Sequence, residues 1–206
     1  MPSLQAIRWN NYMPAAWVSA RRLKMSFVLV LFSAAFSAAF STAAQAQTVL
    51  SDAPVKAALV LNFARYVDWP DTAFASPTDA VVLCLIGRDT LGGALLALET
   101  KQIRNRPIKV KNGISADDAR ACHVAFISDS EERRVIPLLR KLADKPILTI
   151  SDISGFIDLG GGIGIVQGES RLQFDVNRRA LELAQLKASS NLLKLARNLA
   201  DSAGRN

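Results

Sequence analysis

Apolar and polar residues alternate along most of the chain in a pattern that predicts strands separated by helices. Short apolar runs typical of strands occur at 80–87, 107–112, 123–128 and 146–151. A helix is expected at 91–99, between the first two runs. The alternation favours an α/β fold with a largely parallel sheet and right-handed crossovers.

Two further helices are indicated before and within this series. The segment 51–67 is almost wholly apolar, with Asp52 as the expected N-cap and Pro54 in the first turn, and it predicts a mostly buried helix. A second helix is indicated by four apolar residues spaced along one face, namely Val135, Leu138, Leu139 and Leu142. Because a mid-helix proline removes a hydrogen bond, Pro137 requires this helix either to begin near Val135 or to kink.

The pattern changes after residue 159 to an antiparallel hairpin followed by two terminal helices. The runs 163–167 and 171–177 read as strands, joined by Gly168, Glu169 and Ser170. Asn177 is expected to cap a helix through Leu186. A last helix, capped by Ser189 or Ser190, is expected to carry four apolar residues: Leu192, Leu193, Ala196 and Leu199. The whole reads as one domain over 47–206.

The first 46 residues have the features of a Sec-type signal peptide. Basic residues at 21–24 precede an apolar stretch of small residues that ends in Ala44-Gln45-Ala46, which predicts cleavage before Gln47. An uncleaved membrane anchor is the alternative, since about 20 apolar residues can span a bilayer. A twin-arginine signal and a start at Met13 or Met25 also remain open. Cleavage would leave no stable membrane insertion.

Removal of this leader changes the charge of the chain. The full sequence has 25 basic and 18 acidic residues, and the leader holds four of the basic residues and none of the acidic ones. The mature chain is therefore close to neutral, and its charge gives little support for nucleic-acid binding. A basic cluster at 101–111 lacks interleaved aromatic residues and is interpreted as a solvated loop and edge strand.

Export would make the two cysteines a candidate disulfide. Cys84 lies in one strand-like run and Cys122 directly precedes another, so the expected bridge joins neighbouring strands, or a strand and the loop before its neighbour. Two buried reduced thiols are the alternative. The chain has no Cys-x-x-Cys motif, which argues against a thioredoxin-like role.

The sequence offers little that resembles a catalytic, cofactor or metal site. His123 is the only histidine, so a histidine-based zinc cluster cannot form, and a packed or capping role is expected for it. The glycines at 160–162 precede a strand rather than a helix, which disfavours a phosphate site. No catalytic residue, cofactor or metal ligand is therefore predicted, and a binding or regulatory protein is favoured over an enzyme.

Several segments together resemble the YfiR family of small exported regulators. They are 56–74 (KAALVLNFARYVDWPDTAF), 83–87 (LCLIG), 121–128 (ACHVAFIS), 147–152 (ILTISD), 160–166 (GGGIGIV), 171–177 (RLQFDVN) and 189–196 (SSNLLKLA). The resemblance implies a periplasmic α/β protein, often dimeric, that represses a membrane-bound diguanylate cyclase by binding its periplasmic sensor domain. It implies a lower cyclic-di-GMP level and less biofilm. A second disulfide of the founding member has no counterpart here, since the chain has no cysteine after 122.

Two functional hypotheses follow from the sequence. The first is a non-enzymatic repressor of an inner-membrane GGDEF cyclase. Its candidate partner-binding residues are Trp69, Glu169 and Arg171. An alternative role for Trp69 is to lock the first helix onto the sheet. The alternative is a periplasmic small-ligand sensor whose pocket would be lined by the loops around Arg88 and Asp129.

Overall fold

The computed structural model describes residues 51–115 and 117–201. The predicted cleavage residues Ala44, Ala46 and Gln47 lie outside the described residues. In chain order the elements are α1 (Ala53–Arg65), β1 (Val67–Asp68), β2 (Val81–Ile86), β3 (Gln102–Ile103), β4 (Arg106–Ile114), β5 (Val124–Ile127), α2 (Val135–Leu142), β6 (Leu148–Ser151), β7 (Ile163–Gln167), β8 (Leu172–Asn177), α3 (Arg178–Leu183), β9 (Lys187–Ala188), α4 (Ser190–Leu195) and β10 (Asn198–Ala200). Four short 3₁₀ helices span Asp71–Ala73, Leu96–Thr100, Asp118–Ala121 and Asp129–Arg134.

One eight-stranded sheet carries the fold, in the order β10-β8-β7-β6-β5-β2-β4-β3. Strands β4, β2, β5, β6 and β7 run parallel, and β8 pairs antiparallel with β7 to form the predicted hairpin. A separate two-stranded sheet pairs β1 with β9, with Val67 opposite Ala188. The predicted α/β class, the mostly parallel sheet, the hairpin and the two terminal helices are therefore confirmed.

The sheet has an apolar layer on each face, because successive strand residues point to opposite sides. In β2, Leu83 and Leu85 join the core that includes α1, whereas Cys84 and Ile86 join the core that includes α2. The helix α1 buries one face, with five of its residues buried, rather than most of its surface as the sequence predicted. Val55 on its other face is 50% exposed.

Helix boundaries agree with the capping signals in some places and differ in others. Asn177 and Ser189 accept the predicted capping bonds, from Ala180 and Leu192 respectively. Asp52 precedes α1, but its side chain makes no capping bond. The helix α2 begins at Val135, so the proline two residues later lies in the first turn, where its missing N–H breaks no bond.

Three helix predictions were wrong in extent. The segment 91–99 forms turns followed by a 3₁₀ helix rather than one α-helix. The helix α3 ends at Leu183, and Gln185 adopts a left-handed conformation (φ 57°) that reverses the chain. Leu199 belongs to β10 and not to the last helix, since the chain becomes extended at Ala196.

Candidate partner-binding surface

Trp69 lies in a turn at the amino ends of the parallel strands. It follows β1 directly, and Pro70 is the N-cap of the 3₁₀ helix that comes next. The indole Nε1 donates a hydrogen bond to the carbonyl of His123, 3.2 Å away, and the ring stands edge-on to Phe74 at a centroid distance of 6.4 Å. Half-buried and bonded in this way, Trp69 ties the chain after α1 to the strand layer.

A three-layer stack stands beside Trp69. The Phe74 ring lies almost parallel to the His123 imidazole, with 4.3 Å between centroids and 7° between planes. The Arg106 guanidinium covers Phe74 at 3.8 Å from the ring centroid. Its Nη1 also donates to the carbonyls of Ser76 and Asp79, at 2.9 and 3.0 Å. Arg106 thus holds together the loop before β2.

His123 has a packed structural role, as the sequence suggested. Its Nδ1 accepts a hydrogen bond from the Val82 amide at 3.0 Å, and therefore its Nε2 carries the proton and donates to the Ala73 carbonyl at 2.9 Å. Burial lowers the pKa of His123, and the positive charge of nearby Arg106 lowers it further. The hydrogen bond to the Ala73 carbonyl raises this pKa, but by less than burial lowers it. The imidazole is thus held neutral, with both nitrogens bonded to backbone.

Two hollows flank the Trp69 turn. One has a volume of about 390 Å³ and combines Phe74 and Ile103 with the guanidinium groups of Arg104 and Arg106. The other has a volume of about 560 Å³ and includes Lys187. Trp69, Pro70 and Asp71 line both hollows, and these three residues are named the Trp69 ridge here. The ridge presents an aromatic edge and an exposed carboxylate between two depressions, one of which is basic.

The predicted residues Glu169 and Arg171 lie at the opposite end of the parallel strands from the Trp69 ridge. Both are exposed in the turn between β7 and β8, where the Gly168 amide donates to the Arg171 carbonyl at 3.0 Å. This turn follows the carboxyl end of β7. Trp69 instead bonds His123, which directly precedes the amino end of β5. Because β5 and β7 run in the same direction, the two sites lie at opposite ends of the strands. The structure therefore does not bring Trp69, Glu169 and Arg171 into one site.

A hollow of about 570 Å³ lies at the carboxyl ends of β2 and β4, where the ligand-sensor hypothesis places a pocket. Arg88 lines it, together with Arg134 and Lys141, but Asp129 does not. Carboxylates already engage two of these cations, since Arg134 pairs with Glu131 at 3.0 Å and Lys141 with Asp117 at 3.1 Å. Arg88 is the lining cation left without such a pair among the described residues.

Cys84 and Cys122 form a disulfide between β2 and the residue that ends the turn before β5. Their Cα atoms are 5.9 Å apart, and both residues are buried in the core beside α2. This is the second of the two arrangements expected from the sequence, a strand joined to the loop before its neighbour. The alternative of two reduced thiols does not describe this structure.

The glycine cluster at 160–162 is explained by packing. A Cβ on Gly161 would overlap the Phe156 ring, with ring atoms 2.2 Å away. The Gly162 amide donates to the Thr149 hydroxyl at 2.9 Å, and a Cβ there would meet the Thr149 carbonyl at 3.0 Å. These glycines allow the chain to enter β7 close against β6.

Residues 51–115 and 117–201 contain neither a cluster of metal-binding side chains nor a helix suited to cross a membrane. Within these ranges, no three histidine, cysteine, aspartate or glutamate side chains are grouped so that they could hold a metal ion. In the same ranges, no helix has both the length and the hydropathy needed to cross a bilayer.

Sequence reasoning missed the role of Arg106, which it placed in a solvated basic cluster. The structure shows Arg106 half-buried on Phe74 and bonded to two carbonyls. The available signal was the aromatic-rich segment 69–74, whose flat rings offer an arginine a face to cover.

Comparison with known proteins places the fold in a family. The model of a YfiR/HmsC-like family matches residues 53–197. A crystal structure of a conserved domain protein from Vibrio cholerae O1 biovar El Tor is similar in fold, with a TM-score of 0.52 and 9% sequence identity. That match covers 73% of this chain and 60% of the Vibrio protein. Because the family model spans most of the sequence, including the Trp69 ridge and the hairpin, the chain belongs to the YfiR/HmsC-like family.

Proposed function

We propose that the chain is a periplasmic, non-enzymatic regulator that binds the periplasmic sensor domain of an inner-membrane diguanylate cyclase and represses it. The observation that carries the proposal is the family match over residues 53–197, since the resemblance to the YfiR family implies this role. In this scheme the regulator lowers cyclic-di-GMP and biofilm formation without contacting the dinucleotide, which is made on the other side of the membrane.

Two features of the structure support the proposal. The buried disulfide suits an oxidising compartment such as the periplasm. Both nitrogens of the single histidine are bonded to backbone, so His123 has no lone pair left to act as a general base. The proposal includes removal of residues 1–46 by signal peptidase, a mature domain over 47–206 and a homodimer. Intact mass of protein from a periplasmic extract tests whether Gln47 is the first residue.

The partner surface is proposed to lie at one end of the strands. The Trp69 ridge and the Glu169–Arg171 turn lie at opposite ends of the strands, so the two are treated as alternative surfaces. Tryptophan is enriched at interface hot spots, and the half-buried Trp69 lies between two depressions, which favours the Trp69 ridge. The hairpin turn offers only two exposed, oppositely charged side chains.

The decisive experiment combines gene deletion with complementation. Deletion is expected to raise cyclic-di-GMP, measured by mass spectrometry, and the wild-type gene is expected to restore it. Asp71→Lys changes the exposed carboxylate of the Trp69 ridge, and the Glu169→Ala/Arg171→Ala pair changes the turn. If the ridge is the partner surface, only Asp71→Lys fails to complement while its periplasmic level and melting temperature stay normal. An unchanged cyclic-di-GMP level on deletion contradicts the repressor role.

A small-ligand sensor is the second candidate, and the hollow at the carboxyl ends of β2 and β4 is what favours it. Ligands of open α/β sheets bind at this end of the strands, and Arg88 provides a cation for an anionic group. A thermal-shift screen of small carboxylates and phosphates tests this candidate, with Arg88→Ala as the matched variant. Stabilisation that the Arg88→Ala protein loses supports it, and a screen without any stabilising compound contradicts it.

A further inference from the structure

His123 links the sheet to the chain that follows the Trp69 ridge. Its backbone is fixed in the sheet, since its amide donates to the Val82 carbonyl at 2.8 Å and its carbonyl accepts from the Leu148 amide at 2.9 Å. Its ring bonds the Val82 amide through Nδ1 and the Ala73 carbonyl through Nε2. The imidazole therefore stands between a fixed strand and a loop.

This loop, residues 69–79, is named the ridge loop here, and the imidazole is one of its supports. The Phe74 ring lies flat on the imidazole, and Trp69 stands edge-on to Phe74. The other supports are the bond from the indole to the His123 carbonyl and the two bonds from the Arg106 guanidinium. The position of Phe74, and with it the edge contact of Trp69, thus depends on the imidazole.

The bonds of the ring require it to be neutral. Nδ1 accepts the Val82 N–H at 3.0 Å, so it carries no proton. A proton added there would set two N–H groups against each other and leave the Val82 amide without its acceptor. Histidine is the side chain that ordinarily gains this proton between about pH 5 and 8. Protonation would therefore turn one of the two ring bonds into a repulsive contact.

The charges around the stack have opposite effects on a protonated ring. Phe74 already carries the Arg106 guanidinium on its other face, so a protonated His123 would place a second cation on the same aromatic ring. The Asp79 carboxylate favours the protonated form, and bonds from Ser76 lower the pKa of Asp79 and keep it ionised. Among the described residues, Arg106 and Asp79 are the charged groups that act on His123. Burial has the largest effect, and the pKa of His123 is lowered.

The ring can leave its place without unfolding of the sheet. His123 is half-buried, and its backbone bonds to β2 and β6 do not involve the ring. Rotation about the side-chain bonds would carry a charged imidazole from beneath Phe74 into water while β5 stays in place. The Ala73 bond and the ring stack are lost in this rotation, so Phe74 and the edge contact of Trp69 lose their support.

We infer that His123 is a proton-operated latch of the Trp69 ridge: the neutral imidazole holds the ridge loop against the sheet, and protonation in mild acid releases it. The latch is a property of this chain alone and goes beyond the proposed function. Its effect on a partner rests on the proposed function, because a released ridge would bind the sensor domain less tightly. Acidification would then relieve repression of the cyclase.

The first test follows the ring itself in untagged, ¹⁵N-labelled protein that is expressed from the full chain and purified from a periplasmic extract. His123 is the only histidine in the sequence, so nuclear magnetic resonance identifies its two ring nitrogens without ambiguity. At neutral pH the spectrum should show the neutral ring with its proton on Nε2, and the protonation midpoint should lie below the usual 6.5. A proton on Nδ1, or a midpoint above 6.5, would overturn the inference.

The second test follows the ridge by fluorescence. Trp69 is the only tryptophan outside residues 1–46, and Trp69→Phe identifies its share of the emission. On acidification the Trp69 emission should move to longer wavelength with the same midpoint as the ring nitrogens, while far-UV circular dichroism stays constant. His123→Gln should abolish this change, because an amide can keep both bonds and takes up no proton. An emission change that persists in His123→Gln excludes the latch.

Two neighbouring charges provide variants that keep His123, in case His123→Gln does not fold. Arg106→Gln removes a cation and should move the ring midpoint to higher pH, whereas Asp79→Asn removes a carboxylate and should move it to lower pH. Arg106→Lys is the matched control, since it keeps the charge and should leave the midpoint near the wild-type value. The emission midpoint should move with the ring midpoint in each variant. A ring midpoint that moves without the emission contradicts the latch.

Binding to the cyclase distinguishes the latch from the proposed function. The affinity for membranes that contain the cyclase should fall about fivefold or more between about pH 7.5 and about pH 5, and His123→Gln should lose this dependence. If ring and emission titrate together but nothing binds at neutral pH, the proposed function fails and the latch stands. Equal affinity at both pH values would overturn the regulatory part of the inference.

Discussion

Opening the disulfide is the perturbation whose effect can be calculated most directly. Cys84 and Cys122 are separated by 38 positions, and the loop that they close contains β3 and β4. In the chain-entropy model, closing a loop of this length lowers the entropy of the unfolded chain enough to stabilise the fold by about 4 kcal/mol. For a domain of this size, that corresponds to a melting temperature lower by about 8–16 °C.

Urea unfolding followed by circular dichroism measures the loss of stability. The free energy of unfolding of the oxidised wild type is compared with that of the protein in excess reductant and with Cys84→Ala/Cys122→Ala. Alanine is used because both positions are buried and a serine hydroxyl would lack a partner there. The reduced wild type keeps every side-chain atom, so it isolates the effect of the loop from the effect of lost packing.

A loss of less than about 1 kcal/mol in both the reduced protein and the alanine variant would refute this reasoning. It would mean that the unfolded chain is already restricted between the two cysteines, so that the bond removes little entropy. The control is Cys84→Ala/Cys122→Ala in reductant, whose stability should not change, because it has no bond to open.

Three further predictions follow from single contacts. Burial lowers the pKa of His123 below its usual 6.5, so the unfolded chain binds a proton more readily than the folded one. The contribution of His123 to stability is therefore full above about pH 6.5 and falls as the pH drops towards the folded pKa. Urea unfolding at a series of pH values should show a smaller decline for His123→Gln, and an unchanged decline would exclude His123 as the source. Gly161→Ala should lower the free energy of unfolding by about 1–3 kcal/mol, because the added Cβ overlaps Phe156. Gly164→Ala should cost clearly less in the same assay, since its Cβ would meet its nearest neighbour at 3.5 Å. Equal losses of stability in the two variants would contradict the packing argument. Ser189→Ala should cost about 1 kcal/mol by removing the cap of α4, again by urea unfolding, with Ser189→Thr as the variant that keeps most of it.

The sequence predicted those elements whose signals are local. A strand was indicated by the alternation of Leu172, Phe174 and Val176, and it is present as β8. The starts of two helices were indicated by the capping residues Asn177 and Ser189, and α3 and α4 begin directly after them. Such signals depend on residues within one or two turns of each other, so a single sequence contains them in full.

Features fixed by distant contacts were not predictable in the same way. Leu199 continues an apolar helical pattern, yet it lies in a strand because β8 offers a pairing edge at that point. Arg106 reads as a surface cation until Phe74, which lies 32 positions earlier, is brought beneath it. For the candidate surface, the sequence identified Trp69 but could not show that the hairpin turn lies at the other end of the sheet.

The pairing of β1 with β9 has a consequence for the order in which the chain can fold. It joins Val67 to Ala188, and the Ser189 amide also donates to the Tyr66 carbonyl at 2.8 Å. Contacts between such distant positions form late, because the intervening loop must close first. The segment that follows the first helix is therefore completed only by residues 187–189, which lie far along the chain. A polypeptide that has not yet reached Lys187 and Ala188 leaves Val67 and Asp68 without the strand that they pair with.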